Sequence, residues 1–271
     1  PRAARSAGAL LLFAGLFVSS GVSADAPSAR HARLLARADS LVAARRVPAA
    51  ERFLDSLVTS ARERGDTGLE MIATVRRSAS WLYTRGPAVA LPEARRGVAM
   101  ARAARDSSAW CRALVVVQFA AFDAERLDEA QTAARQILAL ARRTGDREAE
   151  TLGSIALGYA ALQQQAYARA ATHYRRALAS AGAAGIPRHE LRARVGLARA
   201  EFGAGDLDAA RAELHLVIGL AQRLQDLQAE SEAWNNLGAY EQQGGEPRLA
   251  PRYYERSLAL RRRAGLRTTV G

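Results

Sequence analysis

The 271 residues are 49% hydrophobic and carry a formal net charge of +12, which excludes a disordered chain and leaves ample apolar material for a buried core. Aromatics make up only 6%, while Ala, Leu, Arg, Glu and Gln, the residues that lose least side-chain freedom in a helix, dominate. All 39 basic residues are arginine, a bias that GC-rich coding produces as easily as selection for phosphate. With no RNP-type aromatic motif and no zinc-finger spacing, a solvated Arg/Glu surface is the preferred reading and no nucleic-acid partner is expected.

The first element is a targeting segment. Arg2 and Arg5 precede an apolar core from Ala7 to Val18, and small residues follow, ending in Val22-Ser23-Ala24. Positive, apolar, then small-x-Ala is the order of a secretory signal peptide cut after Ala24. The apolar core is short for a membrane span of about 20 residues, so an exported bacterial protein, periplasmic or secreted, is expected, and a retained N-terminal anchor is the alternative. Cleavage would remove Arg2 and Arg5 and so two of the twelve net charges. Residues 25–30 read as a short linker. Cys111, the single cysteine, cannot form an internal disulfide and reads as a small buried apolar residue.

From residue 31 onward the chain repeats. Ala50, Ala90, Ala130, Ala170, Ala210 and Ala250 fall forty residues apart, and three residues before each stands Val47, Pro87, Leu127, Tyr167, Leu207 or Pro247, residues suited to a first helical turn. Fifteen residues after each alanine comes Gly65, Arg105, Gly145, Gly185, Gln225 or Gly265, and Asp66, Asp106, Asp146 and Asp226 follow directly in four units. A left-handed helix end followed by an Asp N-cap is the punctuation expected between helices. The blocks are about 31–70, 71–110, 111–150, 151–190, 191–230 and 231–270.

Each block has room for two helices. In the fourth, Leu152, Ile155, Leu157, Tyr159 and Leu162 mark the first, and Tyr167, Ala170, Tyr174, Ala177 and Leu178 form one stripe of the second. No segment alternates with period two, so no strand is predicted. Two prolines depart from the pattern: Pro92 falls in a helix interior, where proline costs about 3 kcal/mol, so that helix starts late or kinks, and Pro251 poses a milder form of the problem.

The sixth block carries Trp234-Asn235-Asn236-Leu237-Gly238, then Ala250 and Tyr254; the fourth carries Leu157-Gly158, Ala170, Tyr174 and Ala177; the fifth Leu197-Ala198, Gly205, Ala210 and Leu214. The third has Val117 and Gln118 where Leu-Gly would stand. This resembles the tetratricopeptide repeat, whose fingerprint is W-x2-L-G-x2-Y, A-x3-F and P, in a longer, forty-residue variety. The resemblance covers residues 31–271 and implies an all-α fold, a right-handed α-solenoid of about six TPR-like helical hairpins. Small residues at Gly158, Ala198 and Gly238 would let the paired helices approach closely.

No catalytic motif is present. HExxH, GxxxxGK[ST], GxGxxG after a strand and GxSxG are all missing, and His31, His173, His189 and His215 have no metal-ligand spacing. Acidic residues at helix starts are explained by the helix dipole. The chain is therefore read as no enzyme, with no cofactor and no metal.

The resemblance further implies a concave surface lined by the first helix of each hairpin as the place where a partner segment binds. By repeat register that face shows Arg112, Val115, Phe119 and Phe122, then Leu152, Ile155, Tyr159 and Leu162, then Arg192, Val195, Arg199 and Phe202, then Glu232, Asn235, Ala239 and Gln242. An acidic or hydrophobic peptide would fit, with arginine pairing carboxylates bidentately; the same apolar members could instead be packing residues. The Lys/Asn carboxylate clamp of chaperone-binding relatives is not reproduced. The function expected is a non-catalytic protein-interaction scaffold with a protein or peptide partner. The alternative is the N-terminal sensory or recruiting part of a larger enzyme or signalling protein (a caspase-like protease, kinase or regulator), suggested by the run Leu266–Gly271 following the last hairpin without a clear polar capping helix and by the absence of an initiator Met.

Overall fold

The computed structural model describes residues 29–43 and 46–264; the expected signal segment 1–24 and Gly265 lie outside the described residues. Twelve helices and no strand occur among those residues: α1 (Ala29–Ala43), α2 (Val47–Glu63), α3 (Thr67–Thr84), α4 (Pro87–Ala103), α5 (Ser107–Asp123), α6 (Leu127–Thr144), α7 (Arg147–Gln163), α8 (Tyr167–Ala184), α9 (Pro187–Gly203), α10 (Leu207–Arg223), α11 (Leu227–Gly244) and α12 (Ala250–Arg263). Odd and even helices pair into hairpins, and among the described residues no helix is long and apolar enough to cross a membrane. The chain divides into two compact units within α7, after Ala149.

The forty-residue punctuation is physical. Gly65, Arg105, Gly145, Gly185 and Gln225 all take a left-handed backbone, with φ between 54° and 68°. At α2 the amide of Gly65 donates to Arg62 O and that of Asp66 to Ala61 O, at 3.1 and 2.9 Å, the paired bonds that close a helix C-terminus. Arg105 and Gln225 make the same two bonds without glycine's freedom. The aspartates then cap: Asp66, Asp106, Asp146, Asp206 and Asp226 each accept the amide three residues on at 2.9 to 3.1 Å.

The five residues read as first-turn positions, from Val47 to Leu207, open their helices. The sixth differs. Pro251 has no amide to donate, so an α-helix begun at Pro247 would lack its first bond; Leu249 and Ala250 instead donate to Glu246 and Pro247 in a tighter turn, and α12 starts at Ala250. Pro92 does not delay α4, which runs from Pro87 through it. Pro92 and Ala88, whose carbonyl loses a donor, are both exposed, so water can take the missing amide's place.

In the first unit, Ala38, Leu54, Leu57, Val58 and Ala73 pack together, as do Met71, Ala101 and Ala109. Cys111 is buried there, and burial pushes its thiol well above the usual range. In the second unit Tyr174 is wedged between α7 and α9, so that a Cβ at Gly158 would stand 2.9 Å from its ring and one at Gly196 2.2 Å. A Cβ at Gly238 would likewise meet Tyr254 at 2.7 Å. The fourth and sixth hairpins thus set a small residue on the first helix against a large one on the second. The third hairpin exchanges the sizes, with Gln118 on α5 and Ala134 on α6, both fully buried.

Candidate partner-binding face

In the first unit, α5 presents Arg112, Phe119 and Phe122 partly exposed, but Val115 is only 2% exposed and belongs to the packing. The expectation that Val115 faces a groove fails because an apolar stripe has the same period whether it packs or binds. An internal carboxylate already serves this face. Asp39 on α1 takes the Arg76 guanidinium of α3 at 3.2 Å, and Arg112 also acts on it. Burial outweighs both arginines and raises the Asp39 carboxyl, while the same desolvation lowers Arg76.

In the second unit, Leu152, Ile155 and Leu162 are buried and likewise pack, whereas Tyr159, Arg192, Arg199 and Phe202 gather around two tyrosines. Tyr174 is 2% exposed; burial pushes its phenol far up, against the pull of Arg199 and Arg192, with Tyr159 adding to the rise. Arg192 is itself desolvated, which brings its pKa down to about 10. Arg199 is exposed and has neither hydrogen bond nor ion pair among the described residues.

The second tyrosine is Tyr240 on α11. Its ring stacks on Phe202 of α9 with centroids 4.1 Å apart and planes 6° from parallel. The side chain is 6% exposed, yet its hydroxyl has no hydrogen-bond partner, an uncommon state for a buried phenol. Burial pushes its pKa up to about 12, and the positive charge of Arg199 opposes that rise. The arrangement therefore puts an unanswered cation near a buried, unanswered donor over an aromatic floor. That combination suits a group that accepts hydrogen bonds and carries negative charge.

Asn235 and Gln242 are exposed on α11. Gln242 Oε1 accepts the Tyr254 hydroxyl at 2.9 Å, so part of its capacity is used internally. Glu232 is half-buried, and its carboxyl is raised by desolvation although Gln228 donates to it. Tyr240 was missed in the sequence because it sits between the packing residues Gly238 and Glu241, where an aromatic reads as core. Among the described residues no group of three His, Cys, Asp or Glu could hold a metal ion.

No family model matches the chain, and no curated protein does. Solved structures do. BtubC (BKLC) from P. vanneervenii superposes with a TM-score of 0.67 at 16% identity, over 81% of this chain and 92% of that one. A signal-transduction ATPase with numerous domains (STAND) bearing a tetratricopeptide repeat sensor, from Pyrococcus horikoshii, gives 0.64 at 16% identity, over 84% of this chain but 36% of that one. A kinesin light chain with nearly identical TPR-like repeats from Podosopora anserina gives 0.55 at 16%, over 71% and 95%. At these identities the likeness speaks for the fold, and with the forty-residue columns it makes the chain an all-α array of tetratricopeptide-like helical hairpins.

Proposed function

We propose that the chain is a non-catalytic protein-interaction scaffold that binds an acidic or apolar partner segment on the first helices of its hairpins. The observation that carries this reading is the cluster of Arg199, Phe202 and Tyr240, where an exposed guanidinium without an ion-pair partner among the described residues lies beside a buried hydroxyl without an acceptor. A carboxylate of the partner would receive Arg199 and the Tyr240 hydroxyl, and the stacked rings would take an apolar neighbour. Arg112 and Arg192 extend the positive character of the first-helix faces.

The partner is to be captured with residues 25–271 as bait and its binding measured by calorimetry. Arg199→Ala and Tyr240→Phe should each weaken binding by about ten- to a hundredfold, in keeping with about 1.5–3 kcal/mol for a charge-assisted bond. Tyr240→Phe should not lower folding stability and should raise it if it changes it at all, because the free protein makes no bond with that buried hydroxyl. Unchanged affinity in both variants, and in the triple Arg112→Ala, Arg192→Ala, Arg199→Ala chain, would overturn the assignment.

The order of Arg2 and Arg5, apolar core and small residues supports action outside the cytoplasm, and N-terminal sequencing of the exported protein should find Asp25 first. A second reading, the sensory part of a larger signalling protein, draws on the STAND protein, in which a tetratricopeptide sensor is one portion of a longer chain. An open reading frame running past Gly271 into an effector domain would favour it.

A further inference from the structure

Joints between hairpins carry a polar contact from the end of an even helix to the first turn of the next odd helix, eight residues on. Arg62 reaches Glu70 at 3.0 Å, Gln222 donates to Glu230 at 2.8 Å, and Arg102 lies 5.4 Å over the Trp110 ring. A second contact comes from the even helix of the same hairpin: Arg96 also pairs with Glu70, and Arg176 reaches Glu150 at 2.6 Å. Glu70 thus receives two guanidinium groups from two helices.

In the fifth hairpin the acid of this column is Glu190, and neither contact is made. Gly182 of α8 stands where Arg62, Arg102 and Gln222 stand, and Leu216 of α10 stands where Arg96 and Arg176 stand. Gly182 is exposed, and a Cβ built on it would meet nothing within 4 Å, so the neighbours have not closed over the gap. Leu216 is 52% exposed, more than any other large hydrophobic side chain among the described residues. Neither choice helps the chain by itself: glycine is the poorest helix former short of proline, and an exposed leucine gains little from burial.

Glu190 also keeps one oxygen in reserve. Arg194, one turn on in α9, donates to Glu190 Oε1 through Nε at 2.9 Å and meets the same oxygen with Nη2 at 2.8 Å, while its Nη1 goes to Glu213 of α10 at 2.9 Å. Glu190 Oε2 has no contact among the described residues, and the side chain is 31% exposed. A carboxylate has room for donors on both oxygens.

We propose that the place framed by Gly182, Glu190 and Leu216 is a docking site for an arginine of a partner protein segment, with an aliphatic residue beside it. The guanidinium enters over Gly182 and pairs with Glu190 Oε2, as Arg62 pairs with Glu70, and the aliphatic side chain covers Leu216. Charge decides the occupant. An acidic segment would meet Glu190 and Glu213, and a wholly apolar one would desolvate Oε2 without giving it a donor. Arginine suits the place better than lysine, because its planar head can serve Oε2 while its stem lies along the leucine. Nine residues of α9 separate Glu190 from Arg199, about two and a half turns, which sets the two on opposite sides of the helix. The site is therefore distinct from the first-helix cluster and takes the opposite charge.

A short peptide with one arginine between leucines, and its twin with citrulline, the uncharged isostere, are titrated into the isotopically labelled chain. The amide resonances of Gly182, Glu190 and Leu216 should move with the arginine peptide and stay in place with the citrulline peptide. Gly182→Arg and Leu216→Arg, which restore the chain's own contacts, should each weaken the interaction at least about tenfold, and so should Glu190→Gln. Amide spectra report whether each variant is folded; if Glu190→Gln is disturbed by loss of its pair with Arg194, the two arginine variants read the same site with that pair intact. Arg199→Ala and Tyr240→Phe should leave this binding unchanged, so its failure and that of the first-helix reading are told apart. The proposal is overturned if the arginine peptide moves none of the three amides, if the citrulline peptide binds as well, or if folded Gly182→Arg and Leu216→Arg chains bind like the unaltered one.

Discussion

Arg211 on α10 grips Glu241 on α11 with both prongs, Nε to Oε1 and Nη2 to Oε2, each at 2.6 Å, and the Glu241 side chain is 2% exposed. The same carboxylate accepts the Glu246 amide at 2.8 Å, so one side chain ties two hairpins and the loop leading to α12. Removing either partner strands a charge in the packing. Arg211→Ala should cost about 3–5 kcal/mol, read by urea denaturation, whereas Arg95→Ala, which breaks the more exposed pair with Glu129, should cost less than about 1 kcal/mol.

The same pair sets an acid limit. Hydrogen bonding from Arg211 holds the Glu241 carboxyl below its ordinary range, against the opposing effect of burial. A lowered folded-state pKa means stability that is fully present above the unfolded value of about 4.3 and is lost as pH falls through the folded value. Between pH 7 and 5 the melting temperature should show no loss from this group, and below about pH 4 the unaltered chain should lose more than Glu241→Gln does. Parallel profiles for the two would sink the assignment.

Gln118 offers a gain. It is 0% exposed and neither of its amide atoms has a hydrogen-bond partner, which leaves the desolvation of both uncompensated. Gln118→Leu keeps the volume opposite the alanine column and removes the polar atoms. The expected result is a stabilisation of about 1–3 kcal/mol by denaturant titration; a loss of stability would mean that the amide is satisfied in solution.

Tyr174 and Gly196 test the packing rule from the other side. A methyl at Gly196 would stand 2.2 Å from the Tyr174 ring, so Gly196→Ala should destabilise by about 1–3 kcal/mol despite alanine's better helix propensity. Combining it with Tyr174→Leu should recover part of the loss, and calorimetric melting of the two variants measures the recovery.

At Gln225 the backbone is left-handed, with φ 54°, a conformation that costs a side-chain-bearing residue about 1 kcal/mol. Gln225→Gly should stabilise by up to about that amount, and Asp226→Ala next to it should destabilise by about 1 kcal/mol through loss of the cap on Ala229. Thermal melts of the two variants should therefore move in opposite directions.

The fold was legible because its signals recur. One glycine or one aspartate proves little, but Gly65, Gly145 and Gly185 in one column, with Asp following the first two, fix where helices end, and the structure puts left-handed turns there. The face was less legible. Val115 and Leu162 share the period of Phe119 and Phe202, and only packing separates buried from half-buried members of one stripe. Tyr240 was hidden for the opposite reason, since its ring is core while its hydroxyl is the chemically open part. Pro251 resolved within the rules, as the second residue of a helix begun three residues late.

At Arg105 and Gln225 the turn keeps its shape although its glycine has gone. The bend is thus imposed by the carbonyls of Ala101 and Ala221, which take the amides of Asp106 and Asp226 at 3.0 and 2.9 Å, and by the helices on either side. Grammar here resides in the neighbours more than in the word. A segment excised from one such bend to the next, Asp66 to Arg105 for instance, carries its own cap at one end and finds its closure at the other, which makes these bends the natural seams for duplicating, deleting or transplanting a hairpin.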